Sequence, residues 1–535
     1  MQNAVSTVEQ ASNPPSSAPS GVRTQTPATP TVLKPVAAIS AALLLVLSFP
    51  DFGLWPMAWI ALVPLLIAVA NTPSILHAFS LGWVTGALFF LASCHWLTYS
   101  MINYGGVPAW LAYVLLIPGA LILGLFPAGF AGIMARAVRS WGARALLAAP
   151  FVWTTMEWGR LELTGQLWNA LGYSQAFMPA LIQPARLGGI YAISFLVVTV
   201  NAAVALTILK KTWSAMAVSL AIAAAVVVVI VAFHMTPLAA RNPDSPPTLH
   251  VVALQPNVPM DLYKSTEQIQ ELTRRHIEMS ESALSQLPDD GVPRLVIWPE
   301  SPMNFAYGAD AAFRDLVGRF AQQHHTLVLF NSQEPAPNSG MYNSAVLVNE
   351  QGSLVGQYDK IRLLPFGEYV PLPRWLPGAN LISAIVGDFT PGTNYSLLPA
   401  GVERAGVFIC IEAAYPFIAR RFTDEGATVL INISNDGYLG RTAVMRQHLS
   451  NAVFRAVENS RPVMRVTNTG ITAYISPTGE ISDMTAPFEP GVRSWTLRGG
   501  ADSKSFYATH GAIFAGITFL ITTLVLAATF VRRRT

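Results

Sequence analysis

Two stretches of this chain are too apolar to fold in water. Residues 35–235 and 510–531 hold few Asp, Glu, Lys or Arg, whereas 240–500 carries the charge of an ordinary globular domain. Over the 535 residues 12% are charged, about half the share of a soluble protein, and 52% are hydrophobic. In a bilayer such runs must be helices, because a helix satisfies every backbone N–H and C=O within its own segment. Crossing a hydrocarbon core of about 30 Å takes about 20 helical residues. The runs 35–50, 54–71, 75–97, 108–135, 143–158, 185–209 and 213–234 predict seven transmembrane helices within 34–236, and 510–531 predicts an eighth. The first and fifth are short enough to need tilt or an interfacial start. Trp55, Trp59, Trp96, Trp110 and Trp168 fall near the expected helix ends, where interfacial tryptophans sit.

Basic residues in short loops set the orientation, because they stay on the cytoplasmic side. Arg136, Arg139 and Arg144 lie between the fourth and fifth helices, Lys210 and Lys211 between the sixth and seventh, and Arg532 to Arg534 after the eighth. Seven helices before the domain put all three clusters on one side; an even number would split them. Residues 1–33, rich in Ser, Pro, Thr, Ala and Gln, have little to bury and read as a disordered cytoplasmic tail. They lack the apolar core and cleavage site of a signal peptide. Residues 247–498 are then expected outside the membrane, in the periplasm of a Gram-negative cell.

That domain alternates between two periods. Strands are predicted at 249–255, 294–299, 326–331, 343–349, 404–410, 427–433, 463–467 and 471–476, and helices at 266–286, 309–324 and 442–459. Strands separated by amphipathic helices predict a layered α/β domain. The net charge of +3, with no basic stripe, excludes a nucleic-acid partner. Cys94 and Cys410 are the two cysteines, far apart and in different kinds of segment, so no disulfide framework is expected. His276, His324 and His325 have no metal-ligand spacing, and neither a metal nor another cofactor is expected. Arg446, Arg455, Arg461 and Arg465 predict a structural ion-pair network.

Three segments carry chemistry. Leu-Val-Ile-Trp-Pro-Glu ends at Glu300, Gln-Tyr-Asp-Lys at Lys360, and Gly-Val-Phe-Ile-Cys at Cys410. Singly, Cys410 reads as a core cysteine and Lys360 as a surface lysine. A carboxylate at the end of a buried strand is harder to dismiss, since an unpaired one is rarely left there. A carboxylate, an ammonium and a thiol in one α/β domain together make an acyl-transfer site.

The order Glu, Lys, Cys, with Trp298-Pro299-Glu300 and the run from Asp359-Lys360 to Pro365-Phe366-Gly367-Glu368-Tyr369-Val370-Pro371, resembles the nitrilase (carbon–nitrogen hydrolase) superfamily. The last run resembles its membrane branch, the apolipoprotein N-acyltransferases. Residues 53–64, Gly-Leu-Trp-Pro-Met-Ala-Trp-Ile-Ala-Leu-Val-Pro, and Leu171-Gly172-Tyr173-Ser174-Gln175 resemble that family's helices. The resemblance implies a multi-pass α-helical bundle of about eight helices carrying a nitrilase-like α-β-β-α sandwich, in the bacterial inner membrane. It implies Cys410 as a nucleophile reacting as thiolate, since a thiol of pKa about 8.5 is mostly protonated at neutral pH. Glu300 would take and return the proton, and Lys360 with the Ile411 N–H would hold the oxyanion, such a donor being worth about 3–4 kcal/mol. Glu368 would orient Lys360, Glu412 would shape the pocket, and Asn435-Asp436-Gly437-Tyr438 would form its wall.

The implied substrates are a phospholipid acyl donor and a diacylglyceryl apolipoprotein whose N-terminal amine resolves a thioester on Cys410. Both are anchored in one leaflet, so a site above the bilayer avoids extracting acyl chains at about 0.8 kcal/mol per methylene. Trp375-Leu376-Pro377 and residues 381–386 are expected as arms that dip into the interface. A monomer is expected, as nothing demands a partner subunit. Ile411, where the family has Tyr, and Tyr263-Lys264, where it has Lys-Trp, depart from the pattern and bear on substrate docking. A membrane-tethered amidase sharing the triad is the alternative; it predicts a small polar pocket. A transporter or sensor would leave the triad a coincidence, with few embedded charges to mark an ion path.

Overall fold

The computed structural model of the chain describes residues 33–236, 244–261, 264–337, 340–365, 367–369, 389–500 and 503–531. The tail, Tyr263, Trp375 to Pro377, residues 381–386 and Arg532 to Arg534 therefore lie outside the described residues, apart from Leu33, which begins the first helix. Before the domain come α1 (Leu33–Ser48), α2 (Val63–Ala70), α3 (Ile75–Ser93), α4 (Leu97–Asn103), α5 (Ala109–Trp141), α6 (Ala149–Thr164), α7 (Ile190–Lys210) and α8 (Trp213–Met235). Every apolar run predicted from the sequence holds helix, but not every one is long. Five stretches, Ile75–Ser93, Ala109–Thr164, Ile190–Lys210, Trp213–Met235 and Ile513–Val531, are long and apolar enough to cross a membrane. The longest of them is α5 and α6, joined by the 3-10 turn Gly142–Ala148. Leu33–Ser48 and Trp55–Ala70 are shorter, the second being a 3-10 turn followed by α2.

Packing inside the bundle rests on small residues, which let helix backbones approach. A Cβ on Gly86 of α3 would lie 2.7 Å from the Pro127 ring of α5. By contrast, α8 packs against α7 and leaves Leu220, Val227 and Val228 more than half exposed. Such a helix needs an apolar solvent.

The domain holds two six-stranded sheets. The first contains β1 (Pro247–Gln255), β2 (Arg294–Ile297), β3 (Leu327–Pro335), β4 (Met341–Val348) and β5 (Leu354–Asp359). The second contains β6 (Leu397–Ala400), β7 (Glu403–Ile409), β8 (Val429–Ser434), β9 (Val463–Thr467), β10 (Ala473–Ile475) and β11 (Ile481–Ser482); β12 (Gly491–Arg498) returns to the edge of the first, beside β1. Strands β1, β2 and β3 are parallel, as are β7, β8 and β9, and the flanking strands are antiparallel. Side chains alternate along the first sheet. Val252, Val296, Val328 and Val346 pack under α9 (Thr266–Leu284) and α10 (Ala311–Gln323), while Val251, Leu295, Leu327 and Ala345 join the core shared with the second sheet. Sequence periodicity finds eight of these strands. It misses β5, β6, β11 and β12, and also α11 (Pro416–Asp424), because these are short or largely polar.

Beneath the second sheet, α12 (Val444–Asn459) is buried on every side except at Arg446. It is wedged between the sheet and the bundle, so its polar residues must find partners in protein. Gln447 accepts from Trp96 Nε1 (3.0 Å), Trp168 Nε1 (2.8 Å) and Asn169 Nδ2 (3.5 Å), and donates to the carbonyls of Pro50 (3.1 Å) and Ser93 (3.0 Å). Trp96 and Trp168 are thus buried partners of the domain, not interfacial anchors. Arg455 pairs with Glu458 at 2.7 Å and donates to the Tyr173 hydroxyl, and Glu458 accepts the Ile190 N–H at 2.8 Å. The expected arginine network is instead separate contacts: Arg465 pairs with Asp436, Arg461 donates to the carbonyls of Ala427 and Ser503, and Arg446 lies over the Phe177 ring. The last helix, α13 (Ile513–Val531), closes the bundle against α6.

Candidate active site

Each predicted side chain sits where a strand ends. Past β2, Trp298 is fully buried among His276, Phe305, Phe320 and Phe330, with its indole N–H on Ser280 Oγ at 3.0 Å. That anchor fixes the backbone from which Glu300 projects. Past β5, Lys360 is held on both sides: its N–H donates to the Asn343 carbonyl and its own carbonyl accepts from Gly392, each at 2.8 Å. Past β7, Cys410 turns with φ +51 into the 3-10 turn Cys410–Ala414. A left-handed conformation costs a residue with a Cβ about 1–2 kcal/mol, so something must hold it.

The fold brings the three together. Lys360, 1% exposed, places Nζ 2.9 Å from Glu368 Oε1 and 3.7 Å from Glu300 Oε1. The charges of Glu300 and Lys360 both act on the Cys410 thiol. Asn343 Nδ2 bridges the two carboxylates, donating to Glu300 Oε1 (3.0 Å) and Glu368 Oε1 (2.6 Å). The Asn435 N–H donates to Glu300 Oε2 at 3.0 Å, and the Leu364 N–H to Glu368 Oε2 at 2.7 Å.

Electrostatics divide the roles. Burial alone would lower the Lys360 pKa, but the facing carboxylates of Glu368 and Glu300 reverse that, and the ammonium stays charged. Burial raises Glu300 above the ordinary carboxylate range, with Lys360 and Asn343 pulling the other way. Burial and then the Glu300 charge push the Cys410 thiol well up, against Lys360. The resting sulfur is therefore a thiol with a base beside it.

Glu412, expected to shape the pocket, takes part in no ion pair among the described residues. It is fully buried and accepts from the Tyr358 hydroxyl (2.8 Å) and the N–H groups of Ile361 (2.8 Å), Arg362 (3.0 Å) and Ile409 (2.8 Å). It ties the exit of β5 to the end of β7, and so fixes Lys360 relative to Cys410. Burial raises its pKa to about 7 in spite of these donors. Ile411 is half-buried in the turn after Cys410, against the apolar core. Asp436 lies behind the site, and the Tyr438 ring meets Tyr104, just after α4, edge-on at 5.8 Å.

Asn343 and His448 escape a sequence reading. Asn343 sits in a strand with no chemical motif around it. His448 falls within a buried helix, and its Nε2 lies 2.9 Å from the Cys410 carbonyl, 38 residues away.

Comparison with known proteins covers both halves. Residues 41–203 match the apolipoprotein N-acyltransferase N-terminal domain, and residues 251–498 match the carbon-nitrogen hydrolase domain. A protein of Geobacter metallireducens named apolipoprotein N-acyltransferase is 32% identical over 93% of this chain and 95% of its own. One of the same name from Rhizobium meliloti is 32% identical over 90% of this chain and 93% of its own. That of Agrobacterium fabrum is 30% identical over 93% and 97%.

Proposed function

The chain belongs to the apolipoprotein N-acyltransferase family, and from that premise we propose how its residues carry out lipoprotein N-acylation. The enzyme moves a fatty acyl chain from a membrane phospholipid to the N-terminal α-amine of a diacylglyceryl-cysteine apolipoprotein. Glu300 takes the proton of Cys410 as sulfur attacks the ester carbonyl. The ammonium of Lys360 and the Ile411 N–H face the oxyanion, where one such donor is worth about 3–4 kcal/mol. The C–O bond then breaks, Glu300 protonates the departing glycerol oxygen, and a lysophospholipid leaves a thioester on Cys410. The lipoprotein amine attacks that thioester, loses a proton to Glu300, and releases the thiol as the amide forms. Glu368 and Asn343 position Lys360 and Glu300, and Glu412 sets the distance between β5 and β7.

The observation that carries this reading is the meeting of a buried Lys360, two carboxylates and a left-handed Cys410 in a domain joined to an apolar bundle. Eight transmembrane helices, seven before the domain and one after, would put Arg136, Arg139, Arg144, Lys210 and Lys211 in the cytoplasm and residues 247–498 outside the inner membrane. The enzyme acts as a monomer, since both sheets of one chain supply the site.

Mass spectrometry of the purified protein in detergent, after incubation with phospholipid alone, tests the mechanism. The expected result is a gain of one fatty acyl chain, absent in Cys410→Ser and removed by hydroxylamine. No adduct, with hydrolysis of a small amide by Cys410, would overturn it in favour of a tethered amidase.

A further inference from the structure

Behind Cys410 lies a ring of buried polar residues that no step above uses. His448, Asp436, Arg465 and Asn432 are each 2% exposed or less. His448 Nε2 faces the Cys410 carbonyl at 2.9 Å, and its Nδ1 faces Asp436 Oδ1 at 2.8 Å. Asp436 Oδ2 accepts from Arg465 at 2.7 Å, Arg465 also donates to Asn432 Oδ1, and Asn432 Nδ2 returns to the carbonyls of Phe408 (3.1 Å) and Cys410 (3.5 Å). The ring thus closes on the peptide that carries the nucleophile. From the bundle side, the Trp168 ring covers the imidazole at 5.6 Å.

The protonation of His448 follows from its partners. Asp436, paired with Arg465 and accepting from Ser434 Oγ at 3.2 Å, is a carboxylate and has no proton to give. A backbone carbonyl has none either. A neutral imidazole would point one lone pair at an oxygen, so the ring needs an N–H on each nitrogen. Burial and then Arg465 set the His448 pKa below its ordinary value, with Asp436 and the Cys410 carbonyl pulling the other way, so the charge on the ring rests on the two oxygens it faces.

We propose that His448 is a positioning residue for acyl transfer: as an imidazolium held by Asp436, it fixes the carbonyl of Cys410, keeps the nucleophile in its left-handed conformation and lends positive charge to the forming thiolate. The groups facing it are Asp436 from the loop after β8, Arg465 from β9 through Asp436, and the Cys410 peptide after β7. Lys360 and Glu300 also act on the sulfur through their charges. Removing the ring's charge raises the thiol pKa, because a cation beside a thiolate stabilises the charged form. The inference rests on Cys410 being the nucleophile.

The test measures alkylation of Cys410 by iodoacetamide in the full-length protein in detergent, mapped by peptide mass spectrometry so that Cys94 is read separately. Rates are followed across pH values spanning the ordinary thiol pKa of about 8.5. His448→Leu removes both donors; His448→Gln keeps one amide N–H toward the Cys410 carbonyl and most of the volume, without the charge. The expected result is alkylation of His448→Leu slower by about 10- to 100-fold at neutral pH, the range for one charge-assisted hydrogen bond, with its pH profile shifted to higher pH than that of wild type. His448→Gln should fall between them, with kcat for acyl transfer lowered and KM for phospholipid unchanged. Size-exclusion elution reports whether each variant is folded; if His448→Leu aggregates, the His448→Gln rates decide. Equal rates and equal pH profiles in wild type and His448→Gln would overturn the proposal. A Cys410→Ala protein that still N-acylates would instead overturn the nucleophile assignment itself.

Discussion

In the first sheet β1, β2 and β3 run parallel between antiparallel neighbours, and in the second β7, β8 and β9 do the same. Their coverings differ. Over the first sheet, α9 buries His276, Ser280, Ala283 and Leu284 and turns Glu271, Arg274 and Glu278 to water. Under the second, α12 is enclosed, and Gln447, His448, Arg455 and Glu458 all end on protein atoms. One strand plan serves both halves because water satisfies polar groups on one side, whereas side chains must do so on the other. The site lies where the halves meet, with Glu300 and Lys360 from the first and Cys410 from the second.

Separating those contributions should have the largest effect. Cys410→Ala is expected to abolish the acyl-enzyme, and Glu300→Gln to slow its formation by about 10²- to 10⁴-fold, both read in single-turnover mass spectrometry. Because the Glu300 pKa is raised, its base form is lost as pH falls, beginning above the ordinary carboxylate value. The acid limb of the wild-type rate should reflect this.

Breaking one polar contact on each side sharpens the contrast. Gln447→Leu takes the hydrogen-bond partner from the Trp168 indole N–H and the Pro50 carbonyl at the buried junction, and one of two partners from Trp96 and Asn169. At about 1–3 kcal/mol for each unsatisfied group, the loss should reach roughly 3 kcal/mol or more, seen as a lower Tm in detergent. Ser280→Ala, which removes one hydrogen bond to Trp298 on the water-facing half, should cost about 1 kcal/mol.

The buried carboxyl of Glu412 adds a pH response. With its folded pKa raised to about 7 from 4.5, the folded state binds the proton more tightly than the unfolded state. Its contribution to stability is then full below 4.5 and falls as pH rises through 7. Glu412→Gln should flatten that slope in thermal scans, a steeper slope being the contrary result. Arg274→Ala, on the exposed face of α9, should leave Tm unchanged, since exposed ion pairs contribute little.

Glu300, Lys360 and Cys410 were legible because each ends a strand, where an apolar run stops at a residue with chemistry. Asn343, Gln447 and His448 were not, because partners on other elements give them meaning, at separations such as 25 residues for Asn343 and 397 for Gln447. Trp96 and Trp168 fall near helix ends, which is also where a domain docked on the bundle would meet them. Their indoles face Gln447, so position alone misassigned them. The partners of Glu412 were not legible either, since most are backbone N–H groups, which every residue but proline has. Hydropathy located the apolar runs, but α1 and α2 show that an apolar run need not make a membrane-length helix.

The partners of Gln447 come from three separate connections of the bundle: Pro50, Ser93 with Trp96, and Trp168 with Asn169. No single one of them can change shape without the others losing register on the same amide. Bundle and catalytic domain are therefore expected to be inherited as a unit. A chimera that grafts residues 251–498 onto a relative's helices would have to bring all three connections with it.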